Sequence, residues 1–241
     1  DIVDPVEANA LYGGRMSMID SLRLTMATLI SNASGASLGM EAGYSQLGAA
    51  IFSSIGQYFR LRRADQRIFV TAGAAAAIAA AFNTPLAGAF YGFELILGSY
   101  LLRALAPVAV AAVSATLVQH ALGEPQTLFT VLVSVHLDTA SYILFGLMGV
   151  LTAGLAILTM KSVTWVEGSM RQAHIPAWLR PCVGGLVLSA IAIFYPQVLG
   201  SGHGAIQYHF DFRWALVPLL LMFVAKAIAS AVSVGSGFRG G

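Results

Sequence analysis

The sequence predicts an all-α fold that crosses a lipid bilayer several times, with broken and half-spanning helices in two repeat-related halves. Three observations predict it. The 241 residues are 57% hydrophobic and only 10% charged, whereas soluble domains carry about 25% charged residues. Long stretches contain no charge at all, and glycine-rich segments interrupt the apolar sequence. With a mean hydropathy of +0.77, the chain has too few charges to cover a water-facing surface.

The transmembrane segments are predicted from four stretches without Asp, Glu, Lys or Arg. These stretches are residues 68–93, 104–123, 139–160 and 181–210. Because a spanning helix needs about 20 apolar residues, each stretch is long enough, and we expect several to be spans. None shows the alternation of polar and apolar residues that marks β-barrel strands.

The charged residues exclude one class of function and indicate one loop. With 13 basic and 11 acidic residues the net charge is +2. The sequence lacks the basic stripe that is typical of nucleic-acid-binding proteins. Basic residues cluster at Arg60, Arg62, Arg63 and Arg67. The positive-inside rule places such a loop in the cytoplasm. Cys182 is the only cysteine, so no intrachain disulfide forms.

In the first half, helices are expected between polar or glycine-rich interruptions. A small-residue segment begins at Ser31, and we expect a helix to continue from it to Tyr58. Pro85 lacks an N–H group and disfavours helix at Thr84, so FNTPLAG breaks the alanine-rich helix that precedes it. Such a break at membrane depth lines a cavity or is covered by protein. The apolar segments of this half are residues 24–30, 69–81, 90–97 and a run that reaches 122.

The second half follows a loop at Gly123–Pro125 and repeats the pattern of glycine-rich breaks. We expect spans at 141–160, 183–195 and 214–232, a polar connection at 161–180 and a break at 200–210. Breaks at matching places in two halves are typical of transporters with internal repeats. We therefore expect one transmembrane domain over 1–241, with halves at about 1–123 and 139–241, cut at both ends.

Glu41 is the only charged residue between Leu24 and Phe59, and it lies among glycines where we expect a helix to begin. A carboxylate inside a bilayer costs about 2.5–3.5 kcal/mol on insertion scales. A helix N-terminus presents free N–H groups and partial positive charge, which attract anions. Glu41 is thus a candidate gate that occupies an anion site and leaves it when protonated. The alternative is a carboxylate that only satisfies N–H groups at an interfacial helix start.

Three motifs carry a resemblance to a known family. The segment SLGMEAGYSQLGAAI, then an alanine-rich helix and AAFNTPLAG, resembles the CLC family of chloride channels and chloride/proton antiporters, in a prokaryotic-type form. That family carries G(K/R)EGP, an alanine-rich helix and AAFNAPLAG, and the order and spacing agree over residues 37–95. The later KAIASAVSVGSGFRGG is similar to a second glycine-rich family motif. The resemblance covers nearly the whole chain.

The resemblance implies that Glu41 closes the outer side of an anion pathway until it is displaced or protonated. The residues implied in binding the anion are Met40, Ala42, Gly43, Gly237, Gly240 and Gly241. It further implies chloride or a similar small anion as the transported species, no cofactor or metal, and no enzymatic reaction. It also implies a homodimer with one pathway per subunit in the plasma (inner) membrane of a prokaryote.

The sequence departs from the family at the anion site. Met40 replaces a basic residue, and Ala42 with Gly43 replaces Gly-Pro. Ile2 stands where the family's central serine is expected. We expect that ligand to be absent or supplied by the backbone.

A further departure concerns proton coupling. The inner proton-transfer glutamate of family antiporters is expected at Leu95, and leucine cannot relay a proton. Glu94 is a proton-relay candidate in a shifted register, and otherwise a structural or interfacial carboxylate. We therefore expect a channel or uncoupled carrier, with a chloride/proton antiporter as the alternative.

Two other classes of protein are remote alternatives. GASLG matches the G-x-S-x-G pattern of a nucleophilic serine, and Ser37 with His203 can in principle form an intramembrane serine protease pair. The strand that precedes such a serine in hydrolases is not predicted here. A non-anion transporter needs charged groups inside several spans, and only Glu41, Glu94 and Lys226 qualify.

Overall fold

The computed structural model of the chain describes residues 2–123, 138–211 and 215–240, without the side chains of 208–211. All regular secondary structure in these residues is helical. They group into two compact units. The first lies within 1–30, 40–128 and 240–241, and the second within 31–39 and 129–239. The all-α membrane fold with broken helices is confirmed.

The first unit is built from six α-helices, with a π-helical segment after the fifth. They are α1 (Pro5–Leu11), α2 (Met18–Ala33, to Ile30 in this unit), α3 (Glu41–Tyr58), α4 (Arg63–Phe82), α5 (Pro85–Tyr91), the π-helical segment (Gly92–Leu97) and α6 (Leu102–Leu122). The predicted break in the alanine-rich helix is present. Asn83 ends α4 in the left-handed conformation, with φ of 54°, and Pro85 begins α5.

The alanine-rich helix α4 is the centre of the first unit, packed between α3 and α6. Its small residues allow neighbouring backbones to come very close. A Cβ added at Gly73 would lie 2.8 Å from the Cβ of Phe52, and closer still to the carbonyl oxygen of Gly48 on α3. Val70, Ala74, Ala75 and Ala79 are fully buried in the same helix.

The second unit contains four α-helices and a short 3₁₀ turn. They are α7 (Thr139–Gln172), α8 (Arg180–Phe194), the 3₁₀ turn (Pro196–Val198), α9 (His203–Asp211) and α10 (Leu216–Gly235). Helix α10 packs against α7 and α8. The contact with α7 is tight, because a Cβ added at Gly235 would lie 2.7 Å from Val166.

Three of the described helices, α6, α7 and α10, are long and apolar enough to cross a membrane. Most of their apolar side chains are exposed, as lipid-facing side chains must be. Helix α8 has 15 residues and so extends about 22 Å at about 1.5 Å per residue. It is therefore shorter than the roughly 30 Å hydrocarbon core of a bilayer.

Two sequence predictions about the second half are wrong. The segment 161–180 is not a polar connection, because α7 continues through it to Gln172. Its charges lie on the helix surface, where Arg171 pairs with Glu167 one turn away at 2.6 Å. The predicted break at 200–210 is limited to residues 200–202, because α9 begins at His203 and includes the rest of that range. The loop predicted at Gly123–Pro125 lies outside the described residues beyond Gly123. The repeat relation between the halves stays a prediction.

Candidate functional site

The N-terminus of α3 gathers four of the residues predicted at the anion site: Met40, Glu41, Ala42 and Gly43. Met40 is the N-cap residue and makes no side-chain capping bond. The first N–H group that bonds back into the helix is that of Tyr44, which donates to the carbonyl of Met40 at 3.0 Å. The three preceding amides have no intrahelical acceptor. They form an electropositive end on an 18-residue helix.

The carboxyl group of Glu41 lies at this helix end without being fully satisfied. The residue is half-buried, and its Oε2 is buried with no hydrogen-bond partner among the described residues. A buried oxygen without a donor raises the free energy of the conformation. Movement of the side chain into water removes that cost. The arrangement therefore favours a carboxylate that can leave its place.

Helix α2 packs directly behind this helix start. Thr25 donates its hydroxyl hydrogen towards the carbonyls of Ser21 at 2.9 Å and Gly43 at 3.3 Å. A Cβ added at Gly43 would lie 3.4 Å from Thr28. The first turn of α3 is thus backed by threonine side chains, which restrict its movement towards α2.

Gln46 is a buried polar residue on the helix of the candidate gate, and sequence reasoning missed it. It is 1% exposed, and its Nε2 donates to the Val3 carbonyl at 3.0 Å and to the Ser21 hydroxyl at 2.9 Å. Val3 belongs to the segment where the family's central serine was expected. A glutamine between Gly43 and Gly48 was the only signal for it. Its partners are far away in sequence and could not be inferred.

The segment before α1 supplies no hydroxyl ligand. Ile2 is 36% exposed, and the side chain of Asp4 caps α1 by accepting from the Glu7 amide at 2.8 Å. An anionic group of the chain itself therefore lies at the start of α1. Whether the serine ligand is absent or replaced by the backbone stays a prediction.

The glycines that follow α10 divide into three cases. Gly237 has φ of +92°, and its N–H donates to the Val234 carbonyl at 3.0 Å. Phe238 donates to Ser233 at 3.2 Å, so the turn is a Schellman cap that needs the left-handed residue. Gly240 follows Arg239 in a segment without regular secondary structure. Gly241 lies outside the described residues, and the anion-binding role of all three glycines stays a prediction.

The proton-relay candidate Glu94 is exposed and lies in the π-helical segment. The hydroxyl of Tyr100 donates to its carboxylate. This hydrogen bond raises the pKa of Tyr100, and burial and the nearby negative charge act in the same direction. The ring of Tyr100 lies 5.8 Å from that of Phe93. Leu95, at the expected relay position, is 55% exposed and has no titratable group.

Asn9 on α1 is a second buried polar residue that was not predicted. Its Nδ2 donates to Thr71 Oγ1 at 2.9 Å, to the Ile96 carbonyl at 3.1 Å and to the Arg67 carbonyl at 3.2 Å. It thereby joins α1 to α4 and to the π-helical segment that carries Glu94. Ile96 lies in the last turn of that segment, where backbone carbonyls have no intrahelical donor.

In the second unit, Lys226 holds the turn that precedes α9. Its Nζ donates to the carbonyls of Val198 at 2.9 Å and Gly200 at 2.7 Å. Gly202 has φ of +88°, and a Cβ there would lie 3.4 Å from the Lys226 side chain. Lys226 of the apolar helix α10 thus satisfies two backbone carbonyls of this turn.

The residues of the protease alternative have other partners. Ser37 is 1% exposed, its Oγ lies 3.2 Å from Ser230 Oγ, and its N–H donates to Ser233 at 3.0 Å. The Nδ1 of His203 lies 2.8 Å from Ser201 Oγ. Within the described part of the chain, no group of three or more His, Cys, Asp or Glu residues could hold a metal.

Comparison with known proteins gives one family. The sequence model of the voltage-gated chloride channel family matches residues 2–241. The chain is 32% identical over 249 residues to a ClcB-like chloride channel protein of Ralstonia nicotianae, covering 99% of this chain and 56% of that protein. The chain thus spans about half the length of this relative.

Solved structures show the same fold. A CLC-type fluoride/proton antiporter superposes with a TM-score of 0.77 at 25% identity, covering 90% of this chain and 55% of that one. A slow cyanobacterial Cl⁻/H⁺ antiporter superposes with a TM-score of 0.76 at 23% identity, covering 92% of this chain and 54% of the other. The resemblance stated from the sequence motifs is confirmed, and the chain belongs to the voltage-gated chloride channel (CLC) family.

Proposed function

We propose that the protein exchanges chloride or a similar small anion for protons across the inner membrane of a bacterium, through a pathway gated by Glu41. One observation carries the gate assignment. The Glu41 carboxyl group has a buried oxygen without a hydrogen-bond partner among the described residues, at a helix start whose first amides lack intrahelical acceptors. A tethered carboxylate and a free anion then compete for the same electropositive helix end. Protonation of the carboxylate favours the free anion.

Proton coupling is supported by the structural neighbours. The chain is 25% identical to a solved CLC-type fluoride/proton antiporter over 90% of its own length. This supports the antiporter better than the channel expected from Leu95. In this proposal Glu94, with Tyr100 as its hydrogen-bond donor, replaces the relay that Leu95 cannot supply. Chloride itself is supported by the name of the Ralstonia relative.

An uncoupled channel is the second candidate, and Leu95 favours it. A leucine that is 55% exposed stands where the proton relay is expected, and the relatives in sequence are named as channels. In either case we propose a homodimer with one pathway per subunit. We propose no enzymatic reaction, because Ser37 is buried beside two other serines.

The test uses the full-length protein in liposomes loaded with chloride. Chloride efflux and external pH are recorded together after a gradient is imposed, and fluoride replaces chloride in a parallel series. We expect protons to enter the liposomes as chloride leaves, in a fixed ratio to the anion flux. Anion efflux without proton movement would replace the antiporter with the channel.

A matched pair of variants assigns the gate in the same assay. Glu41→Gln removes the carboxylate at the start of α3, and Glu167→Gln removes an exposed, ion-paired carboxylate on α7. Only the first change should alter flux. If both variants behave like the wild type, Glu41 is not the gate.

A further inference from the structure

A cavity of about 660 Å³ opens in the first unit between the α1–α2 turn and the α3–α4 loop. Its wall includes Arg15, Arg60 and Arg63, with Tyr12 and Gln57 beside them. The volume falls in the range of about 300–1,000 Å³ that is typical of small-molecule sites. The 18 residues of α3 separate it from Glu41 by about 27 Å at about 1.5 Å per residue. The cavity is therefore distinct from the candidate gate at Glu41.

Arg60 adopts a left-handed backbone conformation that favours glycine, although its side chain is large. The helix α3 ends in a Schellman cap, in which Leu61 donates to the Gly56 carbonyl at 2.9 Å and Arg60 donates to the Gln57 carbonyl at 3.1 Å. Arg60 has φ of +53°, the left-handed position that glycine usually fills. The equivalent position after α10 is Gly237. A strained arginine in a loop is a reason to look for a function of its side chain.

Arg63 also lies where a cation is electrostatically disfavoured. It is the first residue of α4, and Arg62 is the N-cap, although cations are disfavoured at the positive end of a helix. The Arg63 side chain lies over Gly13, where an added Cβ would be 2.7 Å from its Cγ and Nε. Gly13 also has φ of +61°. The missing side chain at Gly13 thus makes the space that Arg63 occupies at the cavity.

The positive charge of the cavity is not neutralised within the described chain. None of Arg15, Arg60 and Arg63 forms an ion pair, because the ion pairs of the described residues are Asp20–Arg23 and Glu167–Arg171. Arg63 reaches only the Leu11 carbonyl, at 3.4 Å. Asp65 in the first turn of α4 offsets part of this charge. Three arginines and a helix N-terminus at one cavity still leave a net positive potential, which an anionic ligand would neutralise.

We propose that this cavity binds a phosphate-bearing small molecule or headgroup through Arg15, Arg60 and Arg63. The planar guanidinium group presents paired donors that match phosphate oxygens, and this geometry distinguishes arginine from a simple point charge. The cavity volume is suited to a multi-atom ligand rather than a bare halide. The side chains of Tyr12 and Leu11 are exposed beside it, which leaves room for an organic part of the ligand.

The test measures binding of pyrophosphate to the full-length protein in nanodiscs of phosphatidylcholine by calorimetry. We expect saturable, salt-sensitive binding that Arg60→Gln and Arg63→Gln each weaken at least tenfold. Arg63→Lys, which keeps the charge and loses the fork, should also weaken binding severalfold. The control is Arg23→Gln, whose arginine is exposed and pairs with Asp20 at 3.1 Å, and it should bind like the wild type. Arg15→Gln serves if a loop variant fails to fold.

A second arm separates the possible sources of the phosphate. Nanodiscs that contain phosphatidylglycerol should reduce pyrophosphate affinity by competition if the natural ligand is a lipid headgroup, and leave it unchanged if the ligand is soluble. The proposal is overturned if pyrophosphate does not bind in phosphatidylcholine nanodiscs. It is also overturned if the arginine variants bind like the wild type, or if chloride displaces pyrophosphate where gluconate at equal ionic strength does not. Since binding is measured without transport, the result is independent of the proposed antiport.

Discussion

Gln46 of α3 donates an amide hydrogen to the carbonyl of Val3 at 3.0 Å, although 43 residues separate them in sequence. Val3 immediately precedes the Asp4 cap of α1, and Gln46 follows the candidate gate by little more than one helical turn. A single buried amide therefore fixes the distance between the gate helix and the segment that lacks a serine ligand. We infer that Gln46 positions both sides of the candidate anion site.

Replacement of Gln46 by methionine should destabilise the protein. The substitution keeps the length of the side chain and removes the donors to Val3 and Ser21. Leaving buried acceptors without a partner costs about 1–3 kcal/mol. We expect a lower melting temperature in detergent and a lower anion flux per folded protein. Gln172→Met, at the exposed end of α7, is the control, and equal melting temperatures for the two variants would contradict the assignment.

Replacement of Glu41 by glutamine should raise anion flux and flatten its dependence on pH. Glutamine mimics the protonated gate, so the α3 amides stay open to the anion at every pH. The measurement is the initial rate of chloride efflux from liposomes across a pH series. If both the rate and its pH response match the wild type, Glu41 does not gate the pathway.

Several features of the fold were predictable because their causes are local. Pro85 removes a backbone donor, and Asn83 tolerates the left-handed conformation, so the break after α4 can be read directly from the sequence. The start of α3 beside Glu41 follows from a lone charge among glycines. The end of α7 was misjudged because its exposed charges at Glu167 and Arg171 were interpreted as a loop, when they lie on a helix that continues past its apolar part.

The buried polar residues could not be predicted because their partners are distant in sequence. Asn9 contacts Ile96 across 87 positions, and Lys226 contacts Val198 across 28. No periodicity or motif records such pairs. A polar residue in an apolar helix indicates only that some partner exists. Which backbone carbonyl it satisfies depends on how α1, α4 and the π-helical segment pack.

Replacement of Glu94 by glutamine should uncouple proton movement from anion movement. The carboxylate accepts the Tyr100 hydroxyl and is the proposed replacement for the relay missing at Leu95. We expect the ratio of protons to chloride to fall at least tenfold while chloride flux persists. Tyr100→Phe keeps the carboxylate and should change the ratio less. An unchanged ratio in Glu94→Gln would remove Glu94 from the proton pathway.

Replacement of Gly73 by valine should overpack the contact between α3 and α4. The first added carbon already lies 2.8 Å from the Phe52 Cβ, so the helices must separate. Overpacking of this kind costs about 1–3 kcal/mol. Gly146→Val is the matched control, because nothing lies within 4 Å of a Cβ at Gly146. The thermal unfolding midpoints of the two variants should differ by several degrees, with Gly73→Val the lower.

Replacement of Lys226 by methionine should loosen the turn before α9. Methionine keeps an unbranched apolar stem and removes the ammonium donors to the Val198 and Gly200 carbonyls, which lie 2.9 and 2.7 Å away. Two carbonyls without donors in an apolar surrounding cost about 1–3 kcal/mol each, whereas loss of the half-buried charge returns part of that cost. We expect a net loss of stability and faster hydrogen exchange at Gly202 and His203, measured by mass spectrometry. Lys161→Met on the exposed surface of α7 should leave exchange in this turn unchanged. If Lys226→Met also leaves it unchanged, the two hydrogen bonds do not hold the turn, and Lys226 has another role in α10.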